Sequence, residues 1–266
     1  MKKFLLISII AVIAAVPFFA ENIYTKNGYY IEDIEEKIDL SKSKIVTVTN
    51  KNGSVNLEQW SKDYAEIKVQ KIAREKEDLK YIKSQHKNTA DKLDIFTDFA
   101  SKNFSDIAVN YTIRIPDNCT VEMIRTSNGA IDVKNITSDI EMKTSNGPVS
   151  ADNVSGTVKA YSSNGPISIN NAAGIGEIIT SNGPVEADIP DIDNDCTVKT
   201  SNAPIEINLD GFRGMINART SNGAIKVEGK GLTIDKLNEN QLKASAGDKN
   251  ITLDIVTSNS RITIKK

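Results

Sequence analysis

The chain has 266 residues, of which 39% are hydrophobic, and its formal net charge is −2. This length allows one large or two small domains, and the apolar content suffices for an ordinary soluble core. Because the charge is nearly balanced, the composition excludes a global basic field that would attract nucleic acid or anionic lipid. It equally excludes a polyanionic tail.

The N-terminus has the pattern of an export signal. Lys2 and Lys3 precede an apolar run over residues 4–16, and the sequence becomes polar after Ala20. This pattern predicts a signal peptide over residues 1–20 and therefore an exported protein of the periplasm or cell surface. Phe18 is bulky for the third position before a cleavage site, so an uncleaved N-terminal membrane anchor stays open as the alternative.

The sequence of residues 21–118 predicts an N-terminal β region that is less regular than the C-terminal half of the chain. We expect this region to lead into the repeated units of residues 119–266 and to cap them. Residues 45–57 show once, around Asn52-Gly53, the strand–turn–strand pattern that the C-terminal half repeats, and the further candidate strands are residues 64–72, 92–99 and 107–115. Between them, residues 73–90 are dense in Lys, Glu and Asp. We expect this segment to form an exposed hairpin end or a short helix.

Residues 119–266 repeat one turn sequence, Thr-Ser-Asn-Gly or a close variant. Its Asn stands at positions 128, 146, 164, 182, 202, 222 and 259. The first six lie 18, 18, 18, 20 and 20 residues apart, and such a fixed period marks stacked structural units.

Apolar columns flank each turn at constant offsets from its Asn. Three and five residues after the Asn stand pairs such as Ile131 and Val133, with a polar residue between them. Four and six residues before it stand pairs such as Met142 and Ile140, although Glu122 breaks the pattern in the first coil and Gly176 stands in this column in the fourth. This period of two is typical of strands with one buried face.

These features predict an all-β fold: a parallel β-solenoid, or β-helix-like stack, with coils of 18–20 residues in sequence order. We expect Asn and Gly at the corner because both tolerate positive φ. We also expect each Asn amide to bond to the equivalent Asn one coil away.

The two cysteines are expected to stay unpaired, although export would permit a disulfide. Cys119 and Cys196 lie four coils apart, which at strand spacing is on the order of 19 Å. A disulfide needs Cα atoms within about 7 Å. Cys196 falls in an inward column and is expected to be a small core residue.

Three groups of residues could carry chemistry, and we assign none of them as catalytic, cofactor-binding or metal-ligating. Glu186 and Glu206 occupy equivalent outward positions about 5 Å apart, which is the carboxylate spacing of retaining glycosidases. Lys226 follows in that column and offsets their repulsion, and no aromatic cluster accompanies them. The single histidine, His86, is expected to be a solvated surface residue.

The third group is the acidic segment Asp191–Asp195, which falls in the first of the 20-residue coils. Calcium-binding EF-hand loops begin with alternating Asp residues. In this chain, however, Cys196 stands at the position of the loop's Gly, and Asn202 stands at the position of its bidentate Glu. We therefore expect a protruding, solvated acidic loop, with calcium binding as the alternative.

The turn Thr-Ser-Asn-Gly-x-Ile/Val, the intermediate Val-Ser-Gly-Thr-Val-Lys of residues 154–159 and the upstream Ile-Arg-Ile-Pro of residues 113–116 resemble the adhesin-like family of bacterial β-strand repeat proteins. The resemblance covers roughly residues 45–264, and members of the family are largely uncharacterised. It implies the architecture and brings no catalytic signature, because the adhesin label itself comes from fold.

The sequence thus predicts an exported, non-enzymatic, adhesin-like envelope protein. Its expected partners are glycans, envelope polymers or proteins bound along the solenoid surface, with no nucleic acid and no small-molecule cofactor. One alternative is a polysaccharide-active β-helix enzyme that uses Glu186 and Glu206. Another is a self-assembling envelope scaffold whose solenoid ends stack, with the last strand around Thr263 as one end.

Overall fold

The computed structural model describes residues 22–40, 42, 44–100 and 106–266. The predicted signal peptide lies outside these residues. Over the described part the chain is all-β, apart from a 3-10 helix at Lys76–Tyr81. This helix and the strand after it occupy the charged segment 73–90, so the expectation of a short helix there is confirmed.

The strands before the main repeat are β1 (Asn22–Lys26), β2 (Tyr29–Asp39), β3 (Ile45–Thr49), β4 (Val55–Trp60), β5 (Tyr64–Ala73), β6 (Lys83–Asn88), β7 (Lys92–Asp98) and β8 (Ile107–Pro116). The strands of the first regular coils are β9 (Thr120–Arg125), β10 (Ile131–Ile136), β11 (Ile140–Lys143), β12 (Val149–Tyr161), β13 (Ile167–Ile179), β14 (Val185–Asp188), β15 (Cys196–Lys199) and β16 (Ile205–Asn208). The remaining strands are β17 (Gly214–Arg219), β18 (Ile225–Glu228), β19 (Thr233–Asn238), β20 (Gln241–Ala246), β21 (Thr252–Val256) and β22 (Ile262–Lys265).

Each Asn turn joins two strands, and we call the turn with its two strands a tier. The strands that follow the turns pair in the order β4, β10, β12, β13, β14, β16, β22, β18, which we call the following ladder. The strands that precede the turns pair in the order β3, β9, β11, β12, β13, β15, β21, β17, which we call the preceding ladder. All of these pairings are parallel, and the long strands β12 and β13 contribute to both ladders.

Both ladders continue into antiparallel strands, so the sheet is mixed, long and unclosed. At the N-terminal end β8 joins β4 in parallel and is followed by antiparallel β5, β2 and β1. On the other ladder β7 joins β3 in parallel and carries antiparallel β6. At the C-terminal end antiparallel β20 and β19 extend β17. The expectation of a purely parallel stack is therefore correct only for the tiers themselves.

The order of the tiers differs from the sequence order at the C-terminal end. The Asn259 tier, made of β21 and β22, lies between the Asn202 tier and the Asn222 tier. Thr263, expected near an end of the stack, is therefore interior and only 9% exposed. The Asn222 and Asn259 tiers are alike in their inward residues. The sequence of the repeats therefore does not encode which of these two tiers pairs with the Asn202 tier.

The predicted inward columns form the core. Residues three and five after the Asn, such as Ile167 and Ile169, are at most 1% exposed in the tiers from Asn128 to Asn202 and in the Asn259 tier. The prediction for Gly176 is wrong. A register shift between Val158 and Ala160 places Ile175 opposite Val158, and Ile175 takes the inward place at 2% exposure.

Two further columns of hydrogen bonds connect the tiers at the turn. The predicted Asn ladder is confirmed, since each turn Asn donates from its Nδ2 to the Oδ1 of the Asn in the adjacent tier at 2.6–2.8 Å. The ladder begins where Asn128 donates to Asn52 and ends where Asn222 donates to Asn259. The Thr of the turn makes a second column that the sequence did not predict. The Oγ1 of Thr180, for example, donates to the carbonyl of Gly165 at 3.1 Å, and Thr180 is only 3% exposed.

The expected reason for Gly at the corner is wrong. The turn glycines from Gly129 to Gly223, and the asparagines before them, do not have positive φ. A Cβ on Gly165 would instead lie 1.7 Å from the carbonyl oxygen of Gly147, so the glycine is required by close stacking of the turns. Positive φ occurs at the opposite corner, at Asn135, Asn153 and Asn171.

Candidate functional site

The carboxylates of Glu186 and Glu206 are neighbours, as predicted, because β14 and β16 pair in register at these positions. The residue that follows Glu206 in this column is Thr263 and not Lys226, since β22 separates β16 from β18. Lys265 Nζ binds Glu206 Oε1. A lysine therefore neutralises one of the two carboxylates, but it is a different lysine from the expected one.

The Asp191–Asp195 segment is engaged by basic residues of other elements. Asp191 Oδ2 accepts from Arg213 Nη2 at 2.6 Å, and Lys249 Nζ contacts both Asp191 Oδ1 at 2.9 Å and Asp193 Oδ1 at 2.7 Å. The hydrogen bonds from Arg213 and Lys249 lower the pKa of Asp191. Ile192 is 3% exposed and anchors the segment, whereas its other four residues are exposed, so it is the expected solvated loop but is held by ion pairs.

An open groove of about 900 Å³ runs along the outer side of the preceding ladder, from β9 to the Asp191–Asp195 segment. It crosses several tiers, and its floor includes the small residues Gly156, Gly174 and Gly176. Among the charged residues of its lining, carboxylates outnumber basic groups, of which Lys159 is the only one that lines the groove. The acidic residues are Glu122, Asp139, Glu141, Glu177, Asp191, Asp193 and Asp195.

Part of this acidic lining is held in place by main-chain and side-chain donors. Asp139 Oδ1 accepts from the Thr157 amide at 2.7 Å, and Asp195 Oδ1 accepts from the Thr252 amide at 2.8 Å. Glu177 Oε2 accepts from the Tyr161 hydroxyl at 2.7 Å. Burial and this carboxylate together raise the pKa of Tyr161. The groove is therefore preorganised from several tiers, and no continuous sequence motif predicts it.

The preceding ladder carries four basic residues at outward positions that form no continuous column, namely Arg125, Lys143, Lys199 and Arg219. Lys143 follows Arg125 in register, and its Nζ lies 5.4 Å from the centre of the Tyr161 ring. Tyr161 and Ile179 then separate Lys143 from Lys199, and Val256 separates Lys199 from Arg219.

His86 is not a fully solvated residue. Its side chain is 28% exposed, and Nδ1 lies 3.0 Å from Glu36 Oε2, a residue far away in sequence. The hydrogen bond from His86 is the main cause that lowers the pKa of Glu36. The contact ties β6 to β2, one of the outer strands of the other ladder.

Both cysteines are free, as predicted, and both are buried, which was predicted for Cys196 alone. Burial raises the pKa of the Cys196 thiol to about 12, so it is an inert core group at neutral pH. Within the described ranges, no set of three or more His, Cys, Asp or Glu side chains is placed to hold a metal ion. No helix of that part of the chain is long and apolar enough to cross a membrane.

No family model matches the sequence, and no curated protein matches it. Among solved structures, the chain is similar to a candidate cell adhesion protein from Clostridium sporogenes at 14% identity and a TM-score of 0.38, over 88% of this chain and 99% of that one. It is similar to a candidate adhesin from Bacteroides fragilis at 11% identity and a TM-score of 0.40, over 87% and 96%. It is also similar to a candidate lipid binding protein from Parabacteroides distasonis at 13% identity and a TM-score of 0.40, over 87% and 96%.

As the turn sequences indicated, the chain resembles adhesin-like proteins: two of these three solved structures are named as a cell adhesion protein and an adhesin. None of the three names denotes an enzyme. At such identities and TM-scores the likeness carries no argument about what this chain binds.

Proposed function

We propose that this chain is an exported, non-enzymatic, adhesin-like protein of the bacterial envelope that binds an extended partner along the groove of the preceding ladder. In this proposal the tiers form a parallel β-solenoid over residues 119–266, capped by the β region of residues 21–118 after removal of a signal peptide. The observation that carries it is the groove itself, which crosses several tiers and so fits a partner longer than one coil.

The charge of the groove favours one class of partner over another. Ionised carboxylates accept hydrogen bonds and donate none, so they bind hydroxyl and ammonium groups and repel anions. We therefore expect a hydroxyl-rich neutral glycan or an amine-bearing envelope polymer, and we expect polyanionic polymers to be rejected. Such surfaces act through many weak contacts, so affinity should increase with polymer length.

The test is a binding panel of neutral, amine-bearing and polyanionic polymers, applied to the purified protein and to three variants. Glu141→Gln and Glu177→Gln each remove a carboxylate from the groove. Glu186→Gln removes one from the following ladder and is the matched control. We expect the two groove variants to weaken binding and the control to leave it unchanged.

Each other outcome points away from this proposal. Tight binding of polyanions would contradict the charge argument. Product release that Glu186→Gln abolishes without a change in melting would favour the alternative of a polysaccharide-active enzyme, which is supported by the adjacency of Glu186 and Glu206. No binding to any polymer would move the proposal to protein partners.

A further inference from the structure

Lys159 is the one basic residue that lines the acidic groove, and its side chain is exposed. Two cations that approach the lining from other elements are neutralised there, since Arg213 binds Asp191 and Lys249 binds Asp191 and Asp193. Lys159, by contrast, forms no ion pair with any residue that the structure describes. Its ammonium group donates hydrogen bonds and accepts none, so it is available to an anionic group of a partner.

The path of the Lys159 side chain accounts for its lack of an ion pair. β12 and β13 change register between Val158 and Ala160, which places Lys159 beside Gly176. A Cβ on Gly176 would lie 3.3 Å from Lys159 Cγ and 3.2 Å from its Cε, so the aliphatic stem packs on the main chain of the glycine. The stem therefore runs from β12 towards β13, away from Glu141, its neighbour in register on β11.

Carboxylates stand on both sides of Lys159 along the length of the groove. Glu141 is its neighbour on β11, and Glu177 lies on β13 directly after Gly176. The Tyr161 hydroxyl holds Glu177 Oε2 at 2.7 Å. Because adjacent strands lie about 4.8 Å apart, the centre of the groove presents a negative, a positive and a negative charge at intervals of about 5 Å. A partner of uniform charge is repelled by at least one of these groups, whereas a partner of alternating charge is attracted by all three.

We propose that the groove selects a zwitterionic polymer, one that carries ammonium groups and acid groups along the same chain. Lys159 is the residue that determines this specificity. It pairs with an acid group of the polymer, while Glu141 and Glu177 pair with ammonium groups about 5 Å to either side. This inference rests on the proposed function, because it concerns the same groove. It narrows the amine-bearing polymers expected there to those that also carry acid groups.

Chitosan oligomers and carboxymethyl chitosan oligomers of equal length provide the test, since both carry amines and only the second carries carboxylates. Binding is measured by isothermal titration calorimetry at a mildly acidic pH, where the amines are protonated and the glutamates are still ionised. We expect the wild-type protein to bind the carboxymethylated oligomer more tightly. Lys159→Gln should reduce this preference about two- to fivefold, which is the range that one exposed ion pair contributes. Lys159→Glu should reverse the preference.

Lys199→Gln is the matched control, because it removes the same charge from an outward position of the same ladder that does not line the groove. It should leave the preference unchanged, and Glu141→Gln should weaken the binding of both oligomers without changing their ratio. A wild-type protein that lacks the preference overturns this inference and leaves the proposed function standing. So does a preference that Lys159→Gln leaves intact, or one that Lys199→Gln reduces equally, since net charge then accounts for it. Binding of neither oligomer overturns both this inference and the amine-bearing class of partner in the proposed function.

Discussion

Replacing Thr180 by Val keeps the shape of a buried side chain and removes only its hydroxyl group. Thr180 Oγ1 donates to the Gly165 carbonyl at 3.1 Å and accepts from the Gly183 amide at 3.3 Å, and both glycines are buried. Each buried main-chain group left without a partner costs about 1–3 kcal/mol. Thr180→Val leaves two such groups, so we expect it to lower the free energy of unfolding by about 2–6 kcal/mol.

Thr180→Ser is the matched control, because it keeps the hydroxyl and removes a methyl group. The chain already uses Ser162 at the equivalent position, where Oγ donates to the Gly147 carbonyl at 3.1 Å and accepts from the Gly165 amide at 2.9 Å. Loss of one buried methyl group costs about 1 kcal/mol. Thr180→Ser should thus be more stable than Thr180→Val, although it changes the shape of the side chain more.

Thermal melting followed by circular dichroism distinguishes the two variants. At about 2–4 °C per kcal/mol for a chain of this size, the Val variant should melt about 4–24 °C below the wild type. The Ser variant should melt a few degrees below it. If the Val variant melts at or above the Ser variant, the Thr column stabilises the stack by packing and the hydrogen-bond argument is wrong.

Further changes test other features of the stack. Asn164→Ala removes two ladder bonds and should cost about 1–3 kcal/mol, whereas Asn222→Ala, at the last tier, removes one and should cost about half as much in the same urea titration. Ile167→Asp places an unpaired carboxylate in the core and should cost several kcal/mol; unchanged melting would contradict the register. Cys196 should resist alkylation by iodoacetamide until the protein unfolds, and rapid labelling of the native protein at neutral pH would contradict its burial. Because the pKa of Asp191 is lowered on folding, its carboxylate stabilises the native state above the unfolded pKa of about 3.9, and this effect is lost as pH falls through the lowered value. The melting difference between Asp191→Asn and the wild type should therefore disappear in strong acid, and a difference that persists there would have another origin.

The parts of the fold that depend on local alternation were predictable from the sequence. Strand faces and the Asn ladder depend only on positions relative to the turn, so the buried state of Ile167 and the bond between Asn164 and Asn182 could be predicted. Register shifts depend on a single extra residue, as where Ile175 replaces Gly176 in the core, and the repeat pattern does not encode them.

Non-local choices could not be predicted in the same way. The inward residues of β22 fit against β16 as well as those of β18 would, so sequence adjacency gave the wrong neighbour. The groove assembles carboxylates such as Glu122 and Asp193 from coils far apart in the chain, and each of them alone has the appearance of ordinary surface charge. The His86 contact with Glu36 likewise joins two strands that no pattern links.

The insertion of the Asn259 tier has a consequence for how the stack is completed during synthesis. A ribosome releases β17 and β18 before β21 and β22. Since β17 pairs with β21 and β18 pairs with β22, the first two strands reach their final positions only after the last two have folded onto the stack. Growth tier by tier from the N-terminus therefore stops after β16. The nascent chain has to leave a space, hold β17 to β20 aside, and close the stack in one late step. A stop codon before Thr252 would remove an interior layer of the rod rather than shorten its tip.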